Sequence, residues 1–352
     1  MSSTAKKDDR LSIVRRMEWP DAFKREDETD DTEFYKKDRF VQHLDVTALQ
    51  TVEKVVGELV VEKEPKVLDL MASFDSHIPD SVTPYHVAAI GMNENELSKN
   101  PKLDEYRIHD LNKEPELPFD DDEFDVVLNT VSVDYLVSPF QVFEEVNRVL
   151  KPGGIHLVIF SSRYFPKKVV RVWADAGEEE RVDIVREYFE RAGGYTEPHV
   201  FVSMGKPRPE GDKYSVLGVP SDPIYAVYAE KEGDRGDRPE RPVLTDDLPE
   251  LISKDEFKKR KAAIKDTHQC PYCGTKLSKW KVPDDPFIEW NSEYMYICFN
   301  DNCPYTVRGW KAMQKQGNSG VTYRLMYIPE TDSTHPVPVH SLSALREGIE
   351  EE

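Results

Sequence analysis

Cysteine is scarce in this chain: 4 among 352 residues, all between positions 270 and 303. That excludes a disulfide framework spread through the fold. Long hydrophobic runs are missing as well. No apolar stretch approaches the ~20 residues that a membrane span requires, so no membrane partner is expected. The opening MSSTAKKDDR lacks the apolar segment of a secretory signal, and a cytoplasmic location is expected. Nor is there an excess of positive charge: 47 Lys plus Arg stand against 67 Asp plus Glu, a formal net charge of −20. Acidity on that scale opposes non-specific binding to nucleic acid or to an anionic membrane across the chain as a whole. The length suffices for two or three domains with a substantial core.

The most informative stretch runs from Leu111 to Gly154. Phe124, Val126, Val127, Leu128 and Val131 make a short, mostly β-branched run bounded by acidic and Ser/Pro segments, the pattern of a strand covered on both faces. From Phe140 the apolar positions Phe140, Phe143, Val146 and Leu150 recur at helical spacing. Lys151-Pro152-Gly153-Gly154 predicts the helix stop, and Ile155 to Phe160 the next buried strand. This is a β–α–β unit, and such a crossover implies a parallel pair.

Other elements extend the pattern. Lys66 to Leu70 and His86 to Met92 read as the first two strands and Tyr106 to His109 as a short third. Leu49, Val52, Val55, Val56 and Leu59 lie on one side of a helix. Val182, Val185, Tyr188 and Phe189 form another helical face, closed by Gly193-Gly194, before strands at His199 to Met204 and Ile224 to Glu230. The expected domains are a charged, poorly ordered arm over 1–33, a sheet domain over 34–231, a charged linker over 232–250, a cysteine module over 251–330 and an acidic tail over 331–352.

Over roughly residues 35–231 the order of acidic turn, Leu117-Pro118-Phe119 elbow, buried strand, amphipathic helix and Lys-Pro-Gly-Gly stop resembles the class I S-adenosylmethionine (SAM) dependent methyltransferases, of the type 11 kind. The resemblance implies an α/β fold: a Rossmann-like, doubly wound, seven-stranded sheet with its last strand antiparallel; the cysteine segment beyond it reads separately as a small C-terminal zinc-ribbon module. It also implies SAM as cofactor, held at the strand ends. Asp69 matches the acid that ends the first strand, and Asp110 the acid that meets the adenine edge. The family's glycine-rich turn is replaced by Met71, Ser73 and Asp75 in Asp69-Leu70-Met71-Ala72-Ser73-Phe74-Asp75-Ser76-His77. At the second strand's end Gly91-Met92-Asn93 supplies an amide where the family has a ribose-binding acid. The cofactor set implied is Asp69, Met71, Ser73, Ser76, His77, Gly91, Met92, Asn93, Asp110 and Leu111, with Ser73, Ser76 and His77 replacing the glycine amides as ligand contacts. An alternative is a sheet that kept its fold and lost its cofactor. Residues closing the fourth strand, Asn129, Thr130, Ser132, Asp134 and Tyr135, are where an acceptor would meet the methyl group. Asp134 is the candidate proton acceptor, and Tyr135 and Asn129 are candidates to orient the acceptor. Tyr35 and His43 belong either to an N-terminal lid or to the edge of the core.

The cysteines fall as Cys270-x₂-Cys273 and Cys298-x₄-Cys303. Thiolates at this spacing predict a tetrahedral zinc site, and four of them leave no open position, so the zinc expected is structural. Residues 268–310 also resemble the Ogr/Delta-like zinc finger of phage late-gene activators. Between Leu251 and Glu330 thirteen Lys/Arg face nine Asp/Glu, interleaved with Trp280, Trp290, Tyr294, Tyr296, Tyr305 and Trp310. Such aromatics either build the small core of the ribbon, meet a protein, or stack on bases; a charge near +4 makes nucleic acid the weakest partner. Two functions stay open: a SAM-dependent methyltransferase whose zinc ribbon recruits an acceptor or protein partner, and a non-catalytic methyltransferase-like scaffold binding partners through the ribbon. The acceptor, small molecule or protein, is not legible.

Overall fold

The computed structural model describes residues 13–209, 211–283, 292–318 and 320–350. Trp290 and the first twelve residues of the expected arm lie outside the described residues. The chain divides into two compact units.

The first unit is built on seven strands: β1 (Lys66–Leu70), β2 (His86–Gly91), β3 (Glu105–Ile108), β4 (Phe124–Thr130), β5 (Leu150–Phe160), β6 (His199–Ser203) and β7 (Ile224–Glu230). Their order is β3-β2-β1-β4-β5-β7-β6. Neighbours among β1 to β5 pair in parallel, and β7 runs antiparallel to β5. This is the expected Rossmann-like methyltransferase sheet. The order reverses between β1 and β4, and a crevice outside the carboxyl ends of strands at such a switch point is where open α/β sheets hold ligands. The central strands are apolar on both faces because both faces are covered: β4 is buried from Phe124 to Asn129. Pro139–Val149 forms the crossover helix, starting with Pro at its first turn and burying Val142, Phe143, Val146 and Val149. Lys151 to Gly154 does not lie outside the strand as expected. It forms the irregular start of β5, where the register shifts against β4.

Three boundaries expected from sequence are corrected. Residues 13–33 do not form a loose arm: residues 13–17 are helical, Ile13, Met17 and Ala22 are buried, and Arg25 bridges to Val170. Lys168, fully buried, is clamped by the carbonyls of Asp27 and Thr29 (3.2 and 2.8 Å) and by Asp31 at 3.1 Å. Residues 232–245 are not a free linker, since Arg238 and Arg241 both pair with Glu62 and the Leu244 amide donates to the Tyr228 hydroxyl. The tail is not separate either, because Ser333–Val339 is strand β11.

The second unit contains residues 203–223 and everything from 246 onward, together with 45–48. Its sheet, β11-β10-β9-β8, joins Ser278–Lys281 (β8), Tyr294–Ile297 (β9), Thr322–Ile328 (β10) and β11, all antiparallel. Two clusters make its small core. One gathers Ile264, Leu277, Leu325 and Tyr327 around the cysteines, and the other gathers Trp280, Met295, Ile297, Met326 and Val337. Trp280 is buried and donates its indole N–H to the Leu345 carbonyl, and Trp310 is buried against Gly205. Those two tryptophans serve the core rather than a base-stacking face.

Candidate functional site

A cavity opens where the sheet order reverses. Its lining comes from the ends of β1, β2, β3 and β4, from residues 35–44 and from Phe165. Each element delivers its residues for a local reason. Gly91 ends β2 because a Cβ there would sit 2.5 Å from the Ala72 carbonyl oxygen, so only glycine lets the β1 turn pass so close. The two strand ends are then stitched by the Ala72 amide donating to the Ile90 carbonyl, 2.8 Å.

Strain concentrates here. Met71, His77 and Val131 adopt left-handed backbone conformations, with φ of 54°, 53° and 55°, and all three line the cavity. For a β-branched residue such as Val131 this is a true outlier, and each such residue costs on the order of 1–3 kcal/mol. Met71 therefore holds, at a cost, the backbone conformation that a glycine adopts freely. Met71 gives this turn a left-handed bend without a glycine.

Burial raises Asp69, at the end of β1, to a pKa of about 7, opposed by the Ser76 hydroxyl beside it. Asp75 has the opposite fate. Its hydrogen bond from the His77 ring holds its carboxyl well below the usual range, and it also accepts from the His77 amide (2.9 Å) and the Gln42 side chain (2.6 Å). Asp110 accepts from the Asn112 amide through Oδ1 at 3.0 Å, while its buried Oδ2 has no hydrogen-bond partner among the described residues. Lys113 Nζ stands 3.6 Å from that oxygen.

Not every residue expected at the site reaches it. Asp69, Met71, Ser73, His77, Gly91, Met92, Asn93, Asp110, Leu111 and Tyr135 all line the cavity. Ser76 does not: it is buried beneath and accepts from Asn100 Nδ2 at 2.9 Å. Ser73 donates to Glu96 at 2.6 Å, so its hydroxyl is already engaged. Asn93 caps the short Glu94–Leu97 helix through its oxygen and gives its amino group to the Tyr35 carbonyl and Asp38. The acid that the sequence reading missed at this strand end is Glu96, which accepts from Ser73 and from the Arg39 amide at 2.5 Å. Asn93-x-x-Glu96 is a helix-capping pattern, and that signal would have found both roles.

The expected catalytic trio is split. Tyr135 lines the cavity, its hydroxyl accepting from the Phe165 amide at 2.8 Å and its ring stacked on Phe165. Asn129 and Asp134 are outside the lining. Asn129 is buried and accepts from Ser132 Oγ at 3.2 Å. Asp134 is 2% exposed, and burial drives its pKa up to about 7. Asp134 is outside the cavity lining, so it is not placed to take a proton from a ligand held there. Tyr35 and His43 do line the cavity. Burial lowers the pKa of His43, whose ring meets Phe165 edge-on at 5.4 Å.

In the second unit the sulfurs of Cys270, Cys273, Cys298 and Cys303 all lie within 4.8 Å of one another. Cys270 and Cys303 are 3.9 Å apart, and Cys273 and Cys298 are 3.6 Å apart. Four sulfurs at the corners of a tetrahedron with metal–sulfur bonds of about 2.3 Å would stand about 3.8 Å apart. These separations fit that cage and are far beyond a disulfide bond of about 2.05 Å. Arg324, fully buried, braces the second cysteine turn by donating to the Cys298 carbonyl (3.1 Å) and to Asp301 (2.6 Å).

Comparison with known proteins adds a partial match. A family profile described as a methyltransferase domain matches residues 80–158, from before β2 to within β5, and does not extend to the cysteine segment. No curated protein sequence matches the chain. Similar solved structures include a Haloferax volcanii complex between a methyltransferase activator and a protein assigned as a methyltransferase, 17% identical, covering 53% of this chain and 91% of that one, with a TM-score of 0.39. A Bacillus halodurans protein assigned as a methyltransferase is 16% identical, with coverage of 53% and 100% and a TM-score of 0.37. Haemonchus contortus phosphoethanolamine N-methyltransferase 2, in complex with S-adenosyl-L-methionine, is 12% identical, with coverage of 53% of each chain and a TM-score of 0.37.

Proposed function

We propose that the first unit is a SAM-dependent methyltransferase and that the second is a structural zinc ribbon serving acceptor or partner recruitment. The observation that carries the first reading is Asp110. At the end of β3, inside the segment that the methyltransferase profile covers, it presents on a cavity at the switch point a buried carboxylate oxygen that accepts no hydrogen bond among the described residues and has Lys113 Nζ at 3.6 Å. A buried acceptor without a donor costs on the order of 1–3 kcal/mol, and an adenine amino group would satisfy it. The three strained residues on the same cavity support a ligand site over simple loss of the cofactor, since such strain clusters where function requires it.

SAM, when bound, supplies an activated methyl group. The chain's part is to bind, align and dry. Asp110 and Leu111 would hold the base and Met92 its flank, Glu96 is placed for hydroxyl donors, and Tyr135 with Phe165 forms the wall where an acceptor would stand. With Asp134 and Asn129 off the cavity, Tyr135 is left as the orienting group of the three. The four thiols form a closed donor set, so zinc there would crosslink two turns of a module whose core is small.

Titration calorimetry with SAM or S-adenosylhomocysteine tests the first reading. Asp110→Ala should weaken binding several-fold, in line with a lost hydrogen bond of about 1 kcal/mol or more, with little change in melting temperature. Wild-type protein that gives no heat with either compound at millimolar concentration would leave the non-catalytic scaffold as the better account.

A further inference from the structure

The cavity's basic groups differ in what they have left to offer. Arg39 spends its guanidinium on the Lys37 and Phe34 carbonyls, at 3.1 and 2.9 Å. His109 engages the Glu114 carbonyl at 2.8 Å. Burial disfavours the charged form of His43. His77 is set beside a carboxylate at the β1 turn instead. Its Nδ1 stands 3.4 Å from Asp75 Oδ2, which leaves Nε2 for a ligand. The dyad is held from two sides: the His77 amide returns to Asp75 Oδ1, and Gln42 reaches Asp75 Oδ2 from the segment 35–44. A left-handed backbone at His77 maintains this arrangement against strain. Within the cavity there is thus an oriented imidazole at the β1 turn and, at the β3 end, Asp110, whose Oδ2 accepts no hydrogen bond among the described residues and stands 3.6 Å from Lys113 Nζ.

We infer that His77, oriented by Asp75, is the receptor for a ligand carboxylate, so that the site selects a nucleoside bearing an amino-acid end over one without it. The inference rests on the methyltransferase reading and goes further, because it assigns the lost glycine turn's work to one imidazole. With a ligand carboxylate on Nε2 the ring would have an anion on each nitrogen, which favours the form that donates from both, and charge-assisted bonds of this kind are the strong ones. It also answers the repulsion that Asp75 would otherwise exert, since His77 stands in the pairing position. Asp69 can meet the neighbouring ammonium, whose charge would favour its ionised form.

The test uses the purified full chain and two probes, S-adenosylhomocysteine and 5′-methylthioadenosine, which share the nucleoside and differ in the amino-acid end. His77→Asn keeps a residue that tolerates the left-handed backbone and removes the ring. It should weaken S-adenosylhomocysteine about tenfold or more, the range for a hydrogen bond between charged groups, and leave 5′-methylthioadenosine unchanged. Asp110→Ala should weaken both. Equal loss of both probes in His77→Asn, or no loss of either, overturns the inference while the nucleoside site stands. A wild-type chain that binds neither probe overturns the methyltransferase reading and this inference with it.

Discussion

Replacing Cys273 with serine is expected to strip the zinc and unfold the cysteine module while leaving the seven-stranded sheet intact. Wild-type protein prepared without chelator should carry one zinc per chain by elemental analysis. Structural zinc contributes apparent folding energies on the order of 10–16 kcal/mol in small modules, far above what the two small clusters around Leu325 and Trp280 can replace. Three remaining thiols would leave the cage open, and buried sulfurs packed at 3.6 to 3.9 Å would have no common partner. Hydrogen exchange should show protection lost in β9 and β10 and kept in β1, β4 and β5. Metal-free wild-type protein, or a serine variant with full zinc and full protection, would refute the site.

Acid should destabilise the first unit through His156. This residue of β5 is fully buried between the Phe143 and Phe189 rings, at 4.6 and 5.0 Å, and its Nε2 has no hydrogen-bond partner among the described residues. Burial alone pushes its pKa down to about 3. The unfolded chain binds a proton near pH 6.5 and the folded chain does not, so stability rises with pH across that window. The contribution is fully present above about pH 6.5 and is lost as pH falls toward 3, about 4–5 kcal/mol in all. Between pH 6.5 and 5 the loss is about 2 kcal/mol. Asp69 and Asp134, raised to about 7 by burial, act in the opposite sense, because the folded chain binds their protons more tightly between pH 3.8 and 7. The measurement is therefore a difference: urea unfolding of wild type and His156→Leu at pH 7 and pH 5. The variant should lose about 2 kcal/mol less than wild type on acidification. Parallel losses would mean that the histidine is solvated or paired in the native protein.

Much of the sheet was legible because its strands are short runs of β-branched residues and its crossover helix carries a clean apolar stripe with Pro139 at the start. Both signals are local. The cysteine cage was legible for a related reason, since two paired spacings specify two tight turns and four sulfurs specify one donor set. The acid at the end of β1, the acid at the end of β3 and the glycine of β2 could be placed on one cavity by counting along those strands.

What only the tertiary structure decided depends on partners distant in sequence. The charged N-terminal stretch looked unable to bury itself, yet Lys168 supplies from far along the chain the cation that Asp27 and Asp31 need. Residues 331–352 were expected as an acidic tail, but Ser333–Val339 forms β11 at a sheet edge, where the missing donors of Pro336 and Pro338 are tolerated. Asp134 and Asn129 share a strand end with Tyr135, but their side chains are buried off the cavity and its ring is on it. The left-handed bends at Met71, His77 and Val131 are held by the packing around them and carry no mark in residues that ordinarily avoid them. Residue type and spacing determined the elements and the donor set of this protein. Long-range packing determined which polar groups were already satisfied and which were left facing the cavity.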